Sequence, residues 1–305
     1  MSTSPAPLVV LGSTASGKSD VAMAHALAAP GREIVVVDAM QVYCGMDIGT
    51  AKPSAVDRAA VPHHALDLVD PADDFAVVDF VAAARGALDD IEARGAQAVL
   101  VAGTGLYLRA LTDPMEVPGQ WPEVKAALLA RVEADGPEVL HHELVALDPV
   151  AASKMEPQNT RRIVRALEVV LGSGRRFSSF GPGLDQYPPV AFRQVGLRWS
   201  RPRLAERIEQ RVQHMMAAGL LAEVERLHSA SRPLSRTARQ ALGYKELIDH
   251  LDGRCSLDEA VSTIVLRTRQ FAVRQERWFR RDPRVRWVDI EHDPVAETLP
   301  VLSLS

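Results

Sequence analysis

Leu8-Val-Val-Leu-Gly-Ser-Thr-Ala-Ser-Gly-Lys-Ser19 decides the fold. Four apolar residues end in a glycine, as a buried strand does before a turn. Gly12, Ser13, Thr14, Ala15, Ser16, Gly17, Lys18 and Ser19 then match the full phosphate-loop pattern G-x-x-x-x-G-K-[ST], and a helix is expected from Lys18 to about Ala29. Strand, loop and helix in this order are the context in which the motif holds an anion. The glycines let successive backbone amides turn inward, and the helix N-terminus adds its positive end. Lys18 supplies a point charge to phosphate oxygens, and Ser19 offers a hydroxyl to Mg²⁺. The pattern specifies a di- or triphosphate without saying which.

The same alternation continues outward. Glu33-Ile-Val-Val-Val-Asp38 and Ala96-Gln-Ala-Val-Leu-Val-Ala102 read as buried strands, with an amphipathic helix between them over about Val77 to Arg94. Val190 to Trp199 is strand-like and fits the same sheet. The expectation is an α/β fold with a parallel sheet, helices on both faces, a helical insertion and a helical C-terminal extension. The core is expected over residues 1–115 and 188–305, and the insertion over 116–187. Within the insertion, Asp148-Pro149 reads as an N-cap with a first-turn proline, and Gly172-Ser-Gly174 closes the last helix. Ser256-Leu-Asp-Glu259 is a capping box opening a long helix to about Arg281.

Composition narrows the class. Among 305 residues, 47% are hydrophobic and 24% charged, as in ordinary soluble domains. Two cysteines, Cys44 and Cys255, make no disulfide framework or metal cluster and fit a reducing cytoplasm. No apolar run suggests a membrane span, and Met1 to Pro7 does not read as a signal peptide. The net charge of −4 is uneven: residues 1–115 carry 7 Lys and Arg against 14 Asp and Glu, and the remainder carries 28 against 25. A locally basic second half suits a polyanion partner, or is simply uneven solvated surface.

Asp38 ends its strand on the edge where open parallel sheets bind ligands, beside the phosphate loop. A carboxylate there can serve as a base, form a turn, or stand in the outer shell of Mg²⁺. It opens Asp38-Ala-Met-Gln-Val-Tyr-Cys-Gly-Met-Asp-Ile-Gly-Thr-Ala-Lys-Pro53. This stretch, the phosphate loop, Pro62-His-His64, Gly103-Thr-Gly-Leu-Tyr-Leu108, Arg165-Ala-Leu-Glu-Val169, Arg207-Ile-Glu-Gln-Arg211, Gln240-Ala-Leu-Gly-Tyr-Lys245 and Arg267-Thr-Arg-Gln-Phe-Ala272 resemble the bacterial tRNA dimethylallyltransferases, in order and over nearly the whole chain.

The resemblance implies transfer of a dimethylallyl group from dimethylallyl diphosphate to the exocyclic amine of the adenosine at tRNA position 37, with Mg²⁺ as cofactor and a monomer as the working unit. It implies Asp38 as general base and Thr104 beside the reacting groups. Arg211 becomes a second clamp on the diphosphate, opposite Lys18. Asp38, Ala39, Met40 and Gln41 become the strip receiving the flipped adenine, and Lys125, Arg161, Arg162 and Arg165 contact tRNA. Ala39, Cys44, Ala102 and Asn159 to Arg162 depart from the usual family residues. Prenylation of free adenine nucleotides, a small-molecule kinase using ATP, and a non-catalytic RNA-binding module are the alternatives.

The arginine pattern is compatible with RNA. On the long helix, Arg267, Arg274 and Arg281 repeat every seven residues and share a face suited to an RNA backbone or to solvent. Ile264, Phe271 and Trp278 repeat likewise and are expected in the core. His63 and His64 read as turn or packing residues, and Trp199 as a core aromatic.

Overall fold

The computed structural model describes residues 6–181, 183–184 and 186–303. The chain divides into two compact units, Met1–Thr112 with Pro189–Ser305, and Asp113–Pro188. The first unit holds six parallel strands: β1 (Leu8–Gly12), β2 (Arg32–Val37), β3 (His63–His64), β4 (Gln97–Ala102), β5 (Arg193–Trp199) and β6 (Val285–Ile290), in the order β3-β2-β4-β1-β5-β6. Its helices are α1 (Lys18–Leu27), α2 (Ala55–Ala60), α3 (Val77–Ala93) and α4 (Gly105–Thr112). The second unit contributes α5 (Pro122–Asp135), α6 (Pro137–Leu147), α7 (Pro149–Ala152) and α8 (Thr160–Ser173). After β5 the first unit resumes with α9 (Arg201–Ala217), α10 (Leu220–His228), α11 (Arg236–Arg239), α12 (Tyr244–Leu251), α13 (Leu257–Phe279) and α14 (Pro294–Ser303).

The central strands are apolar throughout because both sheet faces are covered. Leu8, Val10, Ile34, Val36, Val99, Val101, Val195 and Leu197 share one core with Val21 and Ala22 of α1 and Ile208 of α9. The register brings strand ends together: Leu11 lies opposite Ala102, Val37 opposite Ala102, and Gly12 opposite Leu197. The turns after β1, β2 and β4 therefore open on one sheet edge.

The C-terminal segment is not only helical, as its sequence suggests, because it also supplies the edge strand β6. That strand exposes Arg286 and Asp289, so its apolar signal is diluted. His63 and His64 form the short opposite edge, where His64 Nε2 lies 2.6 Å from Glu33 Oε2 and Arg94 also binds Glu33. Ser256 and Glu259 close the expected capping box at the start of α13.

The second unit has its own core, with Leu128, Leu140, Leu144, Ile163, Val164 and Leu167 buried together. Proline opens each of α5, α6 and α7, where no amide partner is required. Asp148 caps α7, accepting from Ala151 N, and its other oxygen accepts from Ser178 N. Gly174 ends α8 as expected. Among the described residues, no helix is long and apolar enough to cross a membrane.

His25, in the last turn of α1, is buried beside Arg32 and Arg193, and burial plus these two charges push its pKa down to about 4. The unfolded chain, with histidine near about 6.5, then binds more protons than the folded one between those pH values. Folding stability should fall as pH drops through that window. Chemical denaturation at pH 7 and pH 5 should show a smaller acid loss for His25→Gln than for wild type. An equal loss would show that His25 is charged in the folded protein.

Candidate active site

The phosphate loop is a turn with its carbonyls tied outward. Ser16 N donates to Ser13 O at 3.3 Å, and Gly17 sits at φ 86° at the N-cap of α1. A side chain at Gly17 would meet both the left-handed backbone and Pro294, whose Cγ lies 2.5 Å from an added Cβ. Ala15 also has positive φ, 62°, a costly conformation for a residue with a Cβ. Arg207 Nε donates to Ala15 O at 2.8 Å, and Trp199 Nε1 donates to Ser16 O at 3.0 Å. The Arg207 guanidinium lies 4.5 Å over the Trp199 ring. With these carbonyls held from behind, the amides of Ala15, Gly17, Lys18 and Ser19 are left for the concave side, as an anion nest requires.

Two cations share the site. Burial, then the Arg211 charge, lowers Lys18 to about 8, while Asp38 and Asp20 act in the raising direction. Burial likewise lowers Arg211, and Asp38 and Asp20 oppose that shift. Lys18 Nζ donates to Ser13 O at 3.3 Å. Among the described residues, neither cation forms an ion pair. An arrangement of inward amides and two unpaired, poorly solvated cations selects a polyanion.

Asp38 follows β2 directly. Its Oδ1 accepts from Met40 N at 2.8 Å and Gln41 N at 3.3 Å. Thr104 Oγ1 accepts from Ala39 N at 3.2 Å, and Gly103 N and Thr104 N donate to Val37 O. The turn after β4 is thus stitched to the turn after β2. Gly103 marks where the groups converge: a Cβ there would lie 3.1 Å from Asp38 Oδ2, 3.4 Å from Lys18 Cε and 3.6 Å from Gln275 Nε2. Asp38, Thr104, Lys18 and the loop therefore meet at one place. The Gln41 side chain donates to Thr50 O at 3.1 Å, so it braces its own loop.

Residues far along the chain hold this edge. Gln275 of α13 accepts from Thr14 N at 2.8 Å and donates to Gly103 O at 2.7 Å. Glu223 of α10 accepts from the amides of Asp47, Ile48 and Gly49, at 3.0, 2.8 and 3.2 Å, and from the Tyr244 hydroxyl at 2.6 Å. Lys52 is buried and donates to Tyr43 O, Asp47 and Asp67. Much of the segment from Asp38 to Pro53 is thereby a framework for Asp38. Arg207, Gln275, Glu223 and Tyr244 carry no role in the sequence reading. Arg207, Tyr244 and the turn of helix before Gln275 lie inside or beside segments that resemble the family, and Glu223 has no sequence signal.

In the second unit, Lys125 is exposed on α5, and Arg161 and Arg162 are exposed in the first turn of α8. Arg165 is turned inward: it donates to Pro118 O at 2.8 Å and pairs with the buried Glu168 at 3.1 Å. On α13, Arg267 pairs with the buried Glu246 at 2.6 Å and Arg269 with Glu209, and just past its end Arg280 pairs with Glu276. Of the face expected from Arg267, Arg274 and Arg281, Arg267 is therefore spent in an internal pair.

The family model for IPP transferase matches residues 41–282. The chain belongs to this family. Among proteins similar to it, the tRNA dimethylallyltransferase of Kineococcus radiotolerans is 47% identical over 97% of the chain and 98% of its own length. That of Streptomyces coelicolor is 46% identical over 94% and 92%. Among solved structures, the tRNA isopentenylpyrophosphate transferase of Bacillus halodurans is 35% identical with a TM-score of 0.67, covering 98% of this chain and 96% of its own. A eukaryotic dimethylallyltransferase acting on tRNA is 26% identical with a TM-score of 0.77, covering 94% and 74%.

For this member of the family, a metal would have to be held lightly. Among the described residues, no three His, Cys, Asp or Glu side chains gather at one point. Ser19 is exposed in the first turn of α1, and Asp38 stands across the same edge. This oxygen set fits Mg²⁺, which keeps several waters and takes one or two protein oxygens plus phosphates. It does not fit a metal that needs a full protein cage.

Removing the Glu223 carboxylate would leave three amides and a tyrosine hydroxyl without their acceptor. Glu223→Ala should lower the unfolding free energy by about 3 kcal/mol, read by urea denaturation. A loss below about 1 kcal/mol would mean water replaces the carboxylate and the anchoring role fails.

Proposed function

We propose that this chain transfers the dimethylallyl group of dimethylallyl diphosphate to the exocyclic amine of the adenosine at tRNA position 37, releasing diphosphate. The observation that carries this reading is the poorly solvated, unpaired Lys18, which converges with the strand-end carboxylate of Asp38 beside Gly103 while a second such cation, Arg211, stands within electrostatic reach of both. Its relatives are named tRNA dimethylallyltransferases. The proposed setting is the cytoplasm, with a monomer as the working unit.

The chemistry asks for two things. The bond between the allylic carbon and the diphosphate oxygen breaks, and its electron pair leaves with the diphosphate. Lys18, Arg211 and the loop amides are placed to hold that growing charge without reorganising. Mg²⁺ held through Ser19 supplies further neutralisation of the diphosphate when bound. The adenine amine is a weak nucleophile because its lone pair is conjugated with the ring. As the carbon–nitrogen bond forms, Asp38 takes the amine proton. The two amides on Asp38 Oδ1 fix the carboxylate, and Oδ2 is the oxygen directed at Gly103. Thr104, tied to Ala39 N, holds the acceptor strip beside the base. The acceptor must leave its stack, which an RNA loop permits at modest cost.

Incubation with labelled dimethylallyl diphosphate and unmodified tRNA, followed by nucleoside analysis, tests the reading directly. Label in a modified adenosine supports it. ATP turnover with no prenyl donor would point to a kinase instead. Asp38→Asn keeps size and hydrogen bonding but takes no proton, so its single-turnover rate should fall by about 10²–10⁴ while tRNA affinity changes far less. A rate within about threefold of wild type would remove Asp38 as base, and rescue by added Mg²⁺ would assign it to the metal.

The second unit is proposed as the tRNA grip. Arg161 and Arg162 stand at the N-terminus of α8, where their charges add to the positive end of the helix, and Lys125 is exposed on α5. Replacing Arg161 and Arg162 with Gln should flatten the log–log salt dependence of tRNA binding by about 0.7–0.9 for each phosphate released from an arginine. Arg165→Gln should instead reduce stability, since its guanidinium is spent on Pro118 O and Glu168. An unchanged slope in the double variant would move the RNA surface elsewhere.

A further inference from the structure

Gln275 has no part in the transfer chemistry, yet it occupies one of the loop's own amides. It is 8% exposed, on α13, with Oε1 2.8 Å from Thr14 N and Nε2 2.7 Å from Gly103 O. Donor faces acceptor at both ends, so the orientation of its amide is set by its partners. Both polar ends are satisfied, and turning the side chain away would leave the buried Gly103 O and the half-buried Thr14 N without these partners.

The position of Thr14 gives this bond its meaning. In a phosphate loop the lysine reaches the outermost phosphates, while the helix N-terminus holds the inner ones. Lys18 Nζ lies 3.3 Å from Ser13 O, so the charged end of the lysine sits over the first half of the loop, next to Thr14. Thr14 N is then the amide that an outermost phosphate would take. Here it already donates to a neutral carbonyl oxygen. Phosphate oxygens and the Gln275 oxygen are both acceptors and compete for the one N–H, so a phosphate there gains less than at a free amide. Asp38 stands on the same side, its Oδ2 within 3.1 Å of the point marked by a Cβ on Gly103, and would repel further negative charge. The amides of Ala15, Gly17, Lys18 and Ser19, with the side chains of Lys18 and Arg211, remain for two phosphates.

We propose that Gln275 is a specificity-determining residue: by capping Thr14 N it makes the loop a diphosphate site and excludes a third phosphate. This rests on the reading of the loop as the diphosphate site. It explains how a loop pattern shared with triphosphate-binding proteins can discriminate against the abundant nucleoside triphosphates.

The test uses the full chain with Mg²⁺ and two probes, inorganic pyrophosphate and inorganic tripolyphosphate, measured by calorimetry. Wild type should bind pyrophosphate at least about tenfold more tightly than tripolyphosphate, and Gln275→Ala should bring the two within about threefold, the worth of one charge-assisted hydrogen bond. Where the alanine variant does not fold, Gln275→Asn withdraws the same amide by one methylene and is read in the same way. If the variant weakens both probes in step and leaves their ratio unchanged, Gln275 is a structural tie only and the proposal is overturned. If wild type prefers tripolyphosphate or binds both equally, it is overturned as well. Binding of neither probe by wild type would instead remove the loop as the diphosphate site, and the inference with it.

Discussion

Lys18 and Arg211 repel one another in a poorly solvated site, and no carboxylate pairs with either of them among the described residues. Burial lowers both, and each feels the charges of Asp38 and Asp20 only at a distance. Taking a cation out of water without pairing it is expensive, and a fold tolerates it only where something else gains. The gain here is preorganisation. On the proposed reaction, amides, cations and the helix end would already be aimed at the place where negative charge grows as the diphosphate leaves, so little would have to move at the moment of reaction. The positive φ of Ala15 belongs to the same account, since a strained residue persists only when its surroundings over-determine it.

Those surroundings come from the far end of the chain. Trp199 and Arg207 hold the outer carbonyls of the loop, Gln275 joins the loop to the turn after β4, and Glu223 with Tyr244 pins the segment after Asp38. Each of these ties spans more than a hundred residues of sequence except that between Glu223 and Tyr244, which is local. The consequence is a division of labour. The first hundred residues supply most of the groups proposed to touch substrate, and the helices after β5 supply Arg211 and the bonds that fix the rest in place. A substitution in α10 or α13 can therefore disturb the chemistry while touching neither substrate.

This division also marks what could be read from sequence. The apolar run Leu8 to Leu11, the loop and the strand ending at Asp38 are local signals, and the structure has them as expected. So are the caps at Asp148 and Ser256, which act within one turn. The ties from Gln275 and Glu223 are tertiary, and nothing in one glutamine on an arginine-rich helix announces a partner in the phosphate loop. On α13 the seven-residue reading misleads in a definite way. Seven residues fall short of two full turns of a straight helix, so Ile264, Phe271 and Trp278 drift off one line. The buried stripe runs through Ala260, Ile264, Thr268, Ala272, Gln275 and Phe279. Trp278 instead lies against Gly105, where an added Cβ would come within 2.0 Å of its ring. β6 escaped notice because an edge strand needs only one face covered, and Arg286 and Asp289 break its apolar run.

Charge has to be read locally for the same reason. Residues 113–188 carry 8 Lys and Arg against 11 Asp and Glu, so the unit proposed to grip RNA has a net negative charge. Three of its basic residues are occupied within the unit: Arg131 by Glu143, Arg165 by Glu168, and Arg175 by Glu116. Binding by overall attraction is then excluded, because at physiological salt charges separated by more than about 8 Å are largely screened. What remains is placement. Arg161 and Arg162 add two exposed charges to the positive end of a 14-residue helix, where Asn159 already orders the first turn by accepting from Arg162 N. A phosphate at that point would meet cations, amides and a dipole together. A negatively charged unit can in this way hold a polyanion at chosen positions and repel it at others, which favours one docking geometry over many.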